Sequence, residues 1–363
     1  MTDRLPDPRH SQDAGTAAAA LPDGGGAPHG GDLAAAAARW GTAAAGWTDL
    51  STGINPWPWP WPVPVEQAAP PAELWTRLPA SADLARLTAA AASAYGARGP
   101  AVVAAVPGTE AAIRLLPRLV PPGRVGVVGP TYGGHAPAWR LAGHAVEPLD
   151  ALPPTGSGTL PETVIVTHPN NPDGRLQDPD ALLALADAQA ARGGRLVVDE
   201  AFADVVPEHS VAGSAGRAGM IVLRSFGKFY GLAGLRLGFV LADAQMVEAV
   251  RTALGPWPVS GPALAIGAAA LEDEDWRRRT RTRLAEVAGR LDALLARRGL
   301  RAAGGTDLFR LVETPDAPAI AAALGHAGIY VRDFAERPAW LRFGLPPSTE
   351  AEARLEAALG LRS

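Results

Sequence analysis

An α/β fold with a mainly parallel sheet flanked by helices is predicted for this chain by three observations. From Ala101 to Leu241, short apolar runs alternate with helical stretches, the pattern left by strands joined through crossover helices. Thr109, Tyr132, Asn171, Asp199 and Lys228 each fall just after one of those runs, and ligands in such folds gather at the carboxyl ends of strands. The tail then changes to one long helix followed by mixed strands and helices, which predicts a smaller α+β unit.

Composition sets the outer bounds. The 363 residues carry a net charge of -4 with 47% hydrophobic and 19% charged residues, enough to bury a large core and a poor match to a nucleic-acid-binding surface. The absence of cysteine excludes disulfides and thiolate metal sites, and no metal site is expected. The first thirty residues are polar and rich in Gly, Pro and Ala, unlike a signal peptide, and no later stretch is apolar enough to span a bilayer. A cytoplasmic enzyme is the expectation.

In chain order, residues 1–27 bury almost nothing and predict a disordered leader. His29-Gly30-Gly31-Asp32 follows, with Asp32 placed to cap an alanine-rich helix over Leu33–Trp40. A histidine beside two glycines suits an anion held by backbone amides, and equally a linker that ends in a cap. Asp49-Leu50-Ser51-Thr52-Gly53-Ile54-Asn55-Pro56 leads into Trp57-Pro58-Trp59-Pro60-Trp61-Pro62. Alternating prolines deny a helix there and favour an extended path, with the tryptophans packed on the main body.

Residues Glu73 to Tyr95 read as one helix on the spacing of Leu74, Leu84, Leu87 and Ala91. Ala101–Val106 reads as a strand, and Pro107-Gly108-Thr109-Glu110 opens a helix through about Leu119. Further strands are predicted at Arg124–Val128, Thr163–Thr167, Arg195–Val198, Met220–Leu223 and Leu235–Leu241, with helices at Tyr132–Leu141 and Asp178–Ala191. Trp276–Arg298 is a long helix with Leu284, Val287, Leu291 and Leu294 on one face and Gly299 past its end. Its arginines, Arg277 to Arg283, read as a solvated face. Strands near Asp307–Val312, Ile329–Arg332 and Trp340–Phe343 and helices near Ala317–Ala327 and Glu350–Leu359 complete the tail.

The stretch from Arg224 to Phe239 carries the chemistry. Lys228 lies among small residues, with Ser225 three positions before it and Arg236 eight after. A lysine so placed can bond covalently to a carbonyl, while the serine and arginine hold a phosphate on the same small molecule. A phosphorylated pyridine aldehyde would find what it needs elsewhere in the chain. Its phosphate suits Gly108 and Thr109, and its ring face suits Tyr132 in Pro130-Thr131-Tyr132-Gly133. A carboxylate must keep the ring nitrogen protonated, which suits Asp199, and the ring oxygen needs a donor such as Asn171 in His168-Pro169-Asn170-Asn171-Pro172-Asp173-Gly174. Each piece has a plain alternative: a helix cap, a core tyrosine, a turn, a loop acid. Together, in this order and after these strands, the plain reading loses.

From about His29 onward the chain resembles the class I/II aminotransferase family of fold type I pyridoxal-phosphate enzymes, on the lysine and Asn171-Pro172 motifs just quoted. Within that group His29-Gly30-Gly31-Asp32, Asp49 to Pro56 and Asp199-Glu200-Ala201-Phe202 resemble the threonine-phosphate decarboxylases of cobalamin biosynthesis. Histidinol-phosphate aminotransferases are similar throughout.

The resemblance implies pyridoxal 5'-phosphate bonded to Lys228, with Ser225, Arg236, Gly108 and Thr109 on its phosphate. Tyr132 stacks on the ring, Asn171 meets its oxygen and Asp199 its nitrogen. Arg342 in Leu341-Arg342-Phe343-Gly344 then grips the substrate carboxylate and Arg332 in Tyr330-Val331-Arg332-Asp333 its phosphate, with His29 and Asn55 also at the substrate. The activity implied is decarboxylation of L-threonine O-3-phosphate by a carbon–carbon lyase, and the alternative is an aminotransferase acting on a phosphorylated amine such as histidinol phosphate. A homodimer without nucleic-acid or membrane partners is expected. So are a leader over 1–27, an arm and part of a small domain over 28–75, a large cofactor-binding domain over 76–255 and a small domain over 256–363.

Four positions depart from the family pattern. Phe202 replaces a common tyrosine, and Asp173 replaces the usual threonine after Asn-Pro. Asp32 replaces an asparagine and is expected to cap its helix. Leu78-Pro79 stands where relatives often carry a tyrosine given to the partner's cofactor phosphate. Lys228 is the expected proton donor to the substrate carbon, with water or Tyr230 as alternatives.

Overall fold

The computed structural model describes residues 30–41, 43, 45–61, 72–156 and 160–360. His29 and the leader lie outside the described residues. Among the described residues, twelve strands form two sheets. The larger contains β2 (Val103–Val106), β3 (Arg124–Val128), β4 (Ala145–Leu149), β5 (Thr163–Thr167), β6 (Arg195–Asp199), β7 (Met220–Ser225) and β8 (Gly238–Leu241), in the spatial order β2-β8-β7-β6-β5-β3-β4. Five neighbours, β7 through β4, run parallel, while β8 pairs antiparallel with both β7 and β2. The smaller sheet joins the N-terminal β1 (Thr48–Leu50) to β9 (Ala302–Thr306), β10 (Phe309–Glu313), β11 (Ile329–Asp333) and β12 (Trp340–Gly344), in the order β1-β11-β12-β10-β9.

Apart from the exposed edge strand β4, the large sheet is buried on both faces, as a parallel sheet covered by crossover helices must be. Side chains alternate along each strand between two cores. Val164, Val166, Leu196, Val198 and Val222 pack on one side, and Ile165, Val197, Ile221 and Leu223 on the other. The first of these cores continues into the smaller sheet through Phe309, Leu341 and Phe343.

Several boundaries differ from the sequence reading for physical reasons. The helix expected over Glu73–Tyr95 is two helices, Glu73–Thr76 and Ser81–Ala94, because the chain turns extended at Arg77 ahead of Pro79. The helix after Gly108 stops at Leu115 and tightens into a 3-10 turn at Leu116–Arg118, where Pro117 sits. The Tyr132 helix begins only at His135, which leaves Thr131 and Tyr132 on the preceding loop. β8 starts at Gly238 rather than Leu235, since Ala233–Leu235 is a 3-10 turn and Arg236 has a left-handed backbone, φ 54°. β4, β9 and the helices Ala244–Leu254 and Gly261–Glu272 have no counterpart in the sequence reading.

Other local expectations match the coordinates. Asp32 accepts from the Ala35 amide at 2.9 Å and caps Leu33–Trp40. Trp59 is buried, and Trp57 and Trp61 pack against the main core. The long helix runs Glu274–Arg297 with Leu284, Val287, Leu291 and Leu294 buried. Arg277, Arg281 and Arg283 are not simply solvated: they donate to Ala94 O and Asp204 O, and cover the Trp57 ring, respectively.

Candidate active site

A cavity of about 180 Å³ opens at the carboxyl ends of β2, β5, β6 and β7. Gly108 and Thr109 follow β2, Asn171 follows β5, Asp199 ends β6, and Ser225 ends β7. Those residues line the cavity together with Tyr132, Lys228 and Arg236, so all eight cofactor contacts expected from the sequence share one space. Lys228 sits on a single helical turn, Phe226–Phe229, directly after β7.

Each group is set by a partner from another element. Asp199 is buried at the end of β6; one carboxylate oxygen meets His135 Nε2 at 2.9 Å and the other accepts from the Ala201 amide at 3.1 Å. Tyr132 donates its hydroxyl to Glu110 at 3.0 Å and lies edge-on to the His135 ring. Burial, with Glu110 and Asp199 nearby, pushes that phenol well above its ordinary range, so it stays neutral. Asn171 accepts from Arg342 Nη1 at 2.6 Å through its carbonyl oxygen, which leaves the amide nitrogen to donate elsewhere.

Lys228 is less basic than an ordinary lysine. Burial, then the charges of Arg342 and Arg236, bring its amine down to about 8, against the opposing pull of Asp199. Near neutral pH the amine can therefore hold or release a proton. Its nitrogen lies 5.9 Å from the centre of the Phe202 ring, and Phe202 stands edge-on against Phe309 at 5.0 Å. A β-carbon at Gly53 would come within 2.8 Å of Phe202, so glycine is required for that aromatic pair to close.

The phosphate end is a cradle a side chain would fill. A β-carbon on Gly108, φ 83°, would lie 2.8 Å from the Arg236 guanidinium, and one on Gly238 would lie 2.8 Å from the Thr109 amide. Left-handed backbone at Arg236 turns its side chain under Gly108 and allows Nη1 to donate to Ala233 O at 3.1 Å.

The two arginines expected at the substrate do not line the cavity themselves; they lie behind Asn171, which does. Arg332 on β11 and Arg342 on β12 are direct partners across the antiparallel pair. Arg342 is buried and spans Asn171 and the Ser51 carbonyl, the latter at 2.7 Å. Burial first, and then the charge of Arg332, lower its guanidinium to about 10. Arg342 Nε and Arg332 Nη1 are buried without a hydrogen-bond partner among the described residues. Two facing cations with unsatisfied donors make a seat for anions.

Other expectations need correction. Asn55 does not line the cavity. Its amide donates to Phe229 O at 2.9 Å and its carbonyl accepts from the Trp57 amide at 2.9 Å, so its polar atoms are engaged by the backbone rather than by a substrate. Tyr230 is no proton donor to the cavity: it is fully buried, stacked between Phe226 and Trp276, and burial raises its phenol far above the ordinary range. Asp173 holds its own turn, accepting from Asn170 Nδ2 and the Arg175 amide. Gly31 docks on the Ser51 hydroxyl at 2.7 Å, beside Arg342, but His29 itself is outside the described residues. His135 was absent from the sequence reading; its only signal was its place three residues after Tyr132.

Comparison with known proteins places this geometry. The family model for aminotransferase class I and II matches residues 65–358. A threonine-phosphate decarboxylase of Pseudomonas aeruginosa is 46% identical over 331 residues, covering 91% of this chain and 96% of that protein. A threonine-phosphate decarboxylase of Sinorhizobium sp is 46% identical over 334 residues, 91% of this chain and 97% of the relative. Among solved structures, the histidinol-phosphate aminotransferase of Sinorhizobium meliloti in complex with pyridoxal-5'-phosphate superposes with a TM-score of 0.73 at 22% identity, over 90% of this chain and 92% of that one.

Proposed function

The chain belongs to the aminotransferase class I and II family, and from that membership we propose that it decarboxylates L-threonine O-3-phosphate to 1-aminopropan-2-yl phosphate, a step of cobalamin biosynthesis. Its cofactor is pyridoxal 5'-phosphate. The cavity fits that group: the Gly108–Arg236 cradle suits a phosphate, and Asp199, Asn171 and Tyr132 suit the ring nitrogen, oxygen and face. When bound, the cofactor supplies an aldehyde for amines and a cationic ring that takes up the electron pair released at the substrate's α-carbon.

The protein's own residues do the rest. Lys228 is the group that bonds the cofactor and, with an amine near 8, can return a proton to the α-carbon after carbon dioxide leaves. Asp199, fixed by His135, would be the partner of the ring nitrogen. Phe202 has no hydroxyl to offer the ring oxygen, which leaves that contact to Asn171. Arg342 takes the carboxylate and Arg332 the phosphate. Held in that way, the carboxylate would be oriented by the two arginines for its loss in preference to the proton.

The observation that carries the reading is the facing pair Arg332 and Arg342, each with an unsatisfied buried nitrogen, with Arg342 close enough for its charge to act on Lys228. A substrate with one carboxylate and one phosphate offers two anions to these two cations. The similarity to two threonine-phosphate decarboxylases over nine-tenths of the chain supports the same choice. Purified protein given threonine phosphate is expected to release carbon dioxide. A keto acid and pyridoxamine phosphate as the main products would instead establish an aminotransferase, with histidinol phosphate the first substrate to try.

Homodimerisation in the cytoplasm belongs to the same proposal. Trp75, Leu78 and Trp257 are 63%, 68% and 54% exposed. An open groove lined by Pro79, Pro107 and Trp257 ends on Arg236 at the phosphate cradle. Large exposed aromatic side chains around a groove favour burial by a second copy. A solution mass near twice 37.4 kDa is the expected reading, and a monomer would remove this part. Phosphorylated substrate and cofactor, neither able to cross a bilayer unaided, support the location. No helix among the described residues is long and apolar enough to cross a membrane.

A further inference from the structure

Residues 55–59 lie along the outside of the lysine turn and bond to it three times. The Asn55 amide donates to Lys228 O, the Asn55 side chain to Phe229 O, and the Trp59 amide to Tyr230 O, each at 2.9 Å. Packing allows no slack: a β-carbon on Gly231 would lie 2.7 Å from both Asn55 O and Pro58 Cα. The proline-rich backbone between these bonds has little freedom of its own.

The same five residues are fastened on their other side to the C-terminal part of the chain. Trp57 Nε1 donates to Pro347 O at 3.0 Å, and the Arg283 guanidinium sits 3.8 Å over the Trp57 ring. Trp59 Nε1 donates to Asp273 at 3.1 Å, while the other oxygen of Asp273 caps the long helix at Trp276. Trp276 stacks on Tyr230 at 5.6 Å and closes the loop. Upstream, Ser51 O accepts from Arg342.

We propose that Asn55 is a positioning residue for Lys228, the central bond of a strap over residues 55–59 that ties the lysine turn to the start of the Glu274–Arg297 helix. The catalytic amine is carried on four helical residues after β7. So short a turn has few internal bonds to resist tilting, and the strap adds three more, at the carbonyls of residues 228, 229 and 230. Asn55 thus acts on the reaction through Lys228 and touches neither cofactor nor substrate.

This inference deepens the proposed function and rests on it only for the choice of substrate. In the holoenzyme, Asn55→Ala is expected to lower kcat on threonine phosphate on the order of 10-fold, with KM within about twofold, as expected for a misaimed reacting group. The visible band of the cofactor bonded to Lys228, titrated without substrate, should move its pH midpoint up by about 0.5 unit or more, because a looser turn admits water to the charged nitrogen. Arg342, Asp199 and Arg236 are the charged groups facing that nitrogen, and the substitution removes none of them.

Gly231→Ala leaves Asn55 in place and presses on the strap from the other side; it should give the same two shifts. It carries the test if Asn55→Ala does not fold. An unmoved midpoint in either folded variant overturns the proposal. So does a loss confined to KM, which would put Asn55 on the substrate. The titration needs no turnover, so failure on threonine phosphate would count against the proposed function alone.

Discussion

The cofactor cavity and the arginine pair behind Asn171 are built differently. At the cofactor end, polar groups are held by other protein groups: Asp199 by His135, Tyr132 by Glu110, and Arg236 beneath Gly108. At the arginine pair, Arg332 and Arg342 face one another, each with one buried nitrogen left without a partner among the described residues. An unsatisfied buried donor costs about 1–3 kcal/mol, so this arrangement is retained for something that completes it. The contrast is between a resident group, whose seat is preorganised, and a transient one, whose arrival relieves a deficit.

Three substitutions would break or sharpen that contrast. Lys228→Ala should abolish turnover and remove the visible band altogether, while the other cofactor contacts remain. Persistence of both in a spectrum and an assay would remove Lys228 from the chemistry. Arg332→Ala should weaken threonine phosphate by about 2–3 kcal/mol in kcat/KM and plain threonine far less, because a charge-assisted bond to the phosphate is lost. Equal losses on the two substrates would mean Arg332 has another partner. His135→Ala should have the smallest effect, about 1–1.5 kcal/mol in kcat, since Asp199 loses one hydrogen bond but keeps its charge. Loss of the cofactor on gel filtration would show the seat to be less preorganised than the geometry implies.

The cofactor end was more legible in the sequence than the arginine end or the strap. Strand-end placement marked Thr109, Asn171, Asp199 and Lys228 because a strand followed by small or polar residues leaves a local signature. Arg332 and Arg342 rested on family resemblance, since an arginine in a strand says nothing about which residue stands opposite. His135 and Asn55 failed for the same reason: their partners, Asp199 and Phe229, lie 64 and 174 residues away.

The secondary structure failed where composition blurs the period. The Gly261–Glu272 helix is small and apolar all round and buried on most sides, so it shows no stripe. β9 reads Ala-Ala-Gly-Gly-Thr, with nothing to suggest a strand except its pairing with β10. β4, on the sheet edge, carries Pro148 and alternates poorly. In the Glu73–Tyr95 stretch, the apolar spacing continued through a break that Pro79 should have announced.

The reversed strand β8 has a topological result. Because it runs against β7, its beginning lies at the rim where its neighbour finishes, with Gly238 beside Ser225. A hairpin thus delivers the amine and the phosphate-side guanidinium to one edge within a dozen residues. Adding or deleting a residue in that hairpin would displace the covalent anchor relative to the anion clamp, so its length is constrained as tightly as its chemistry.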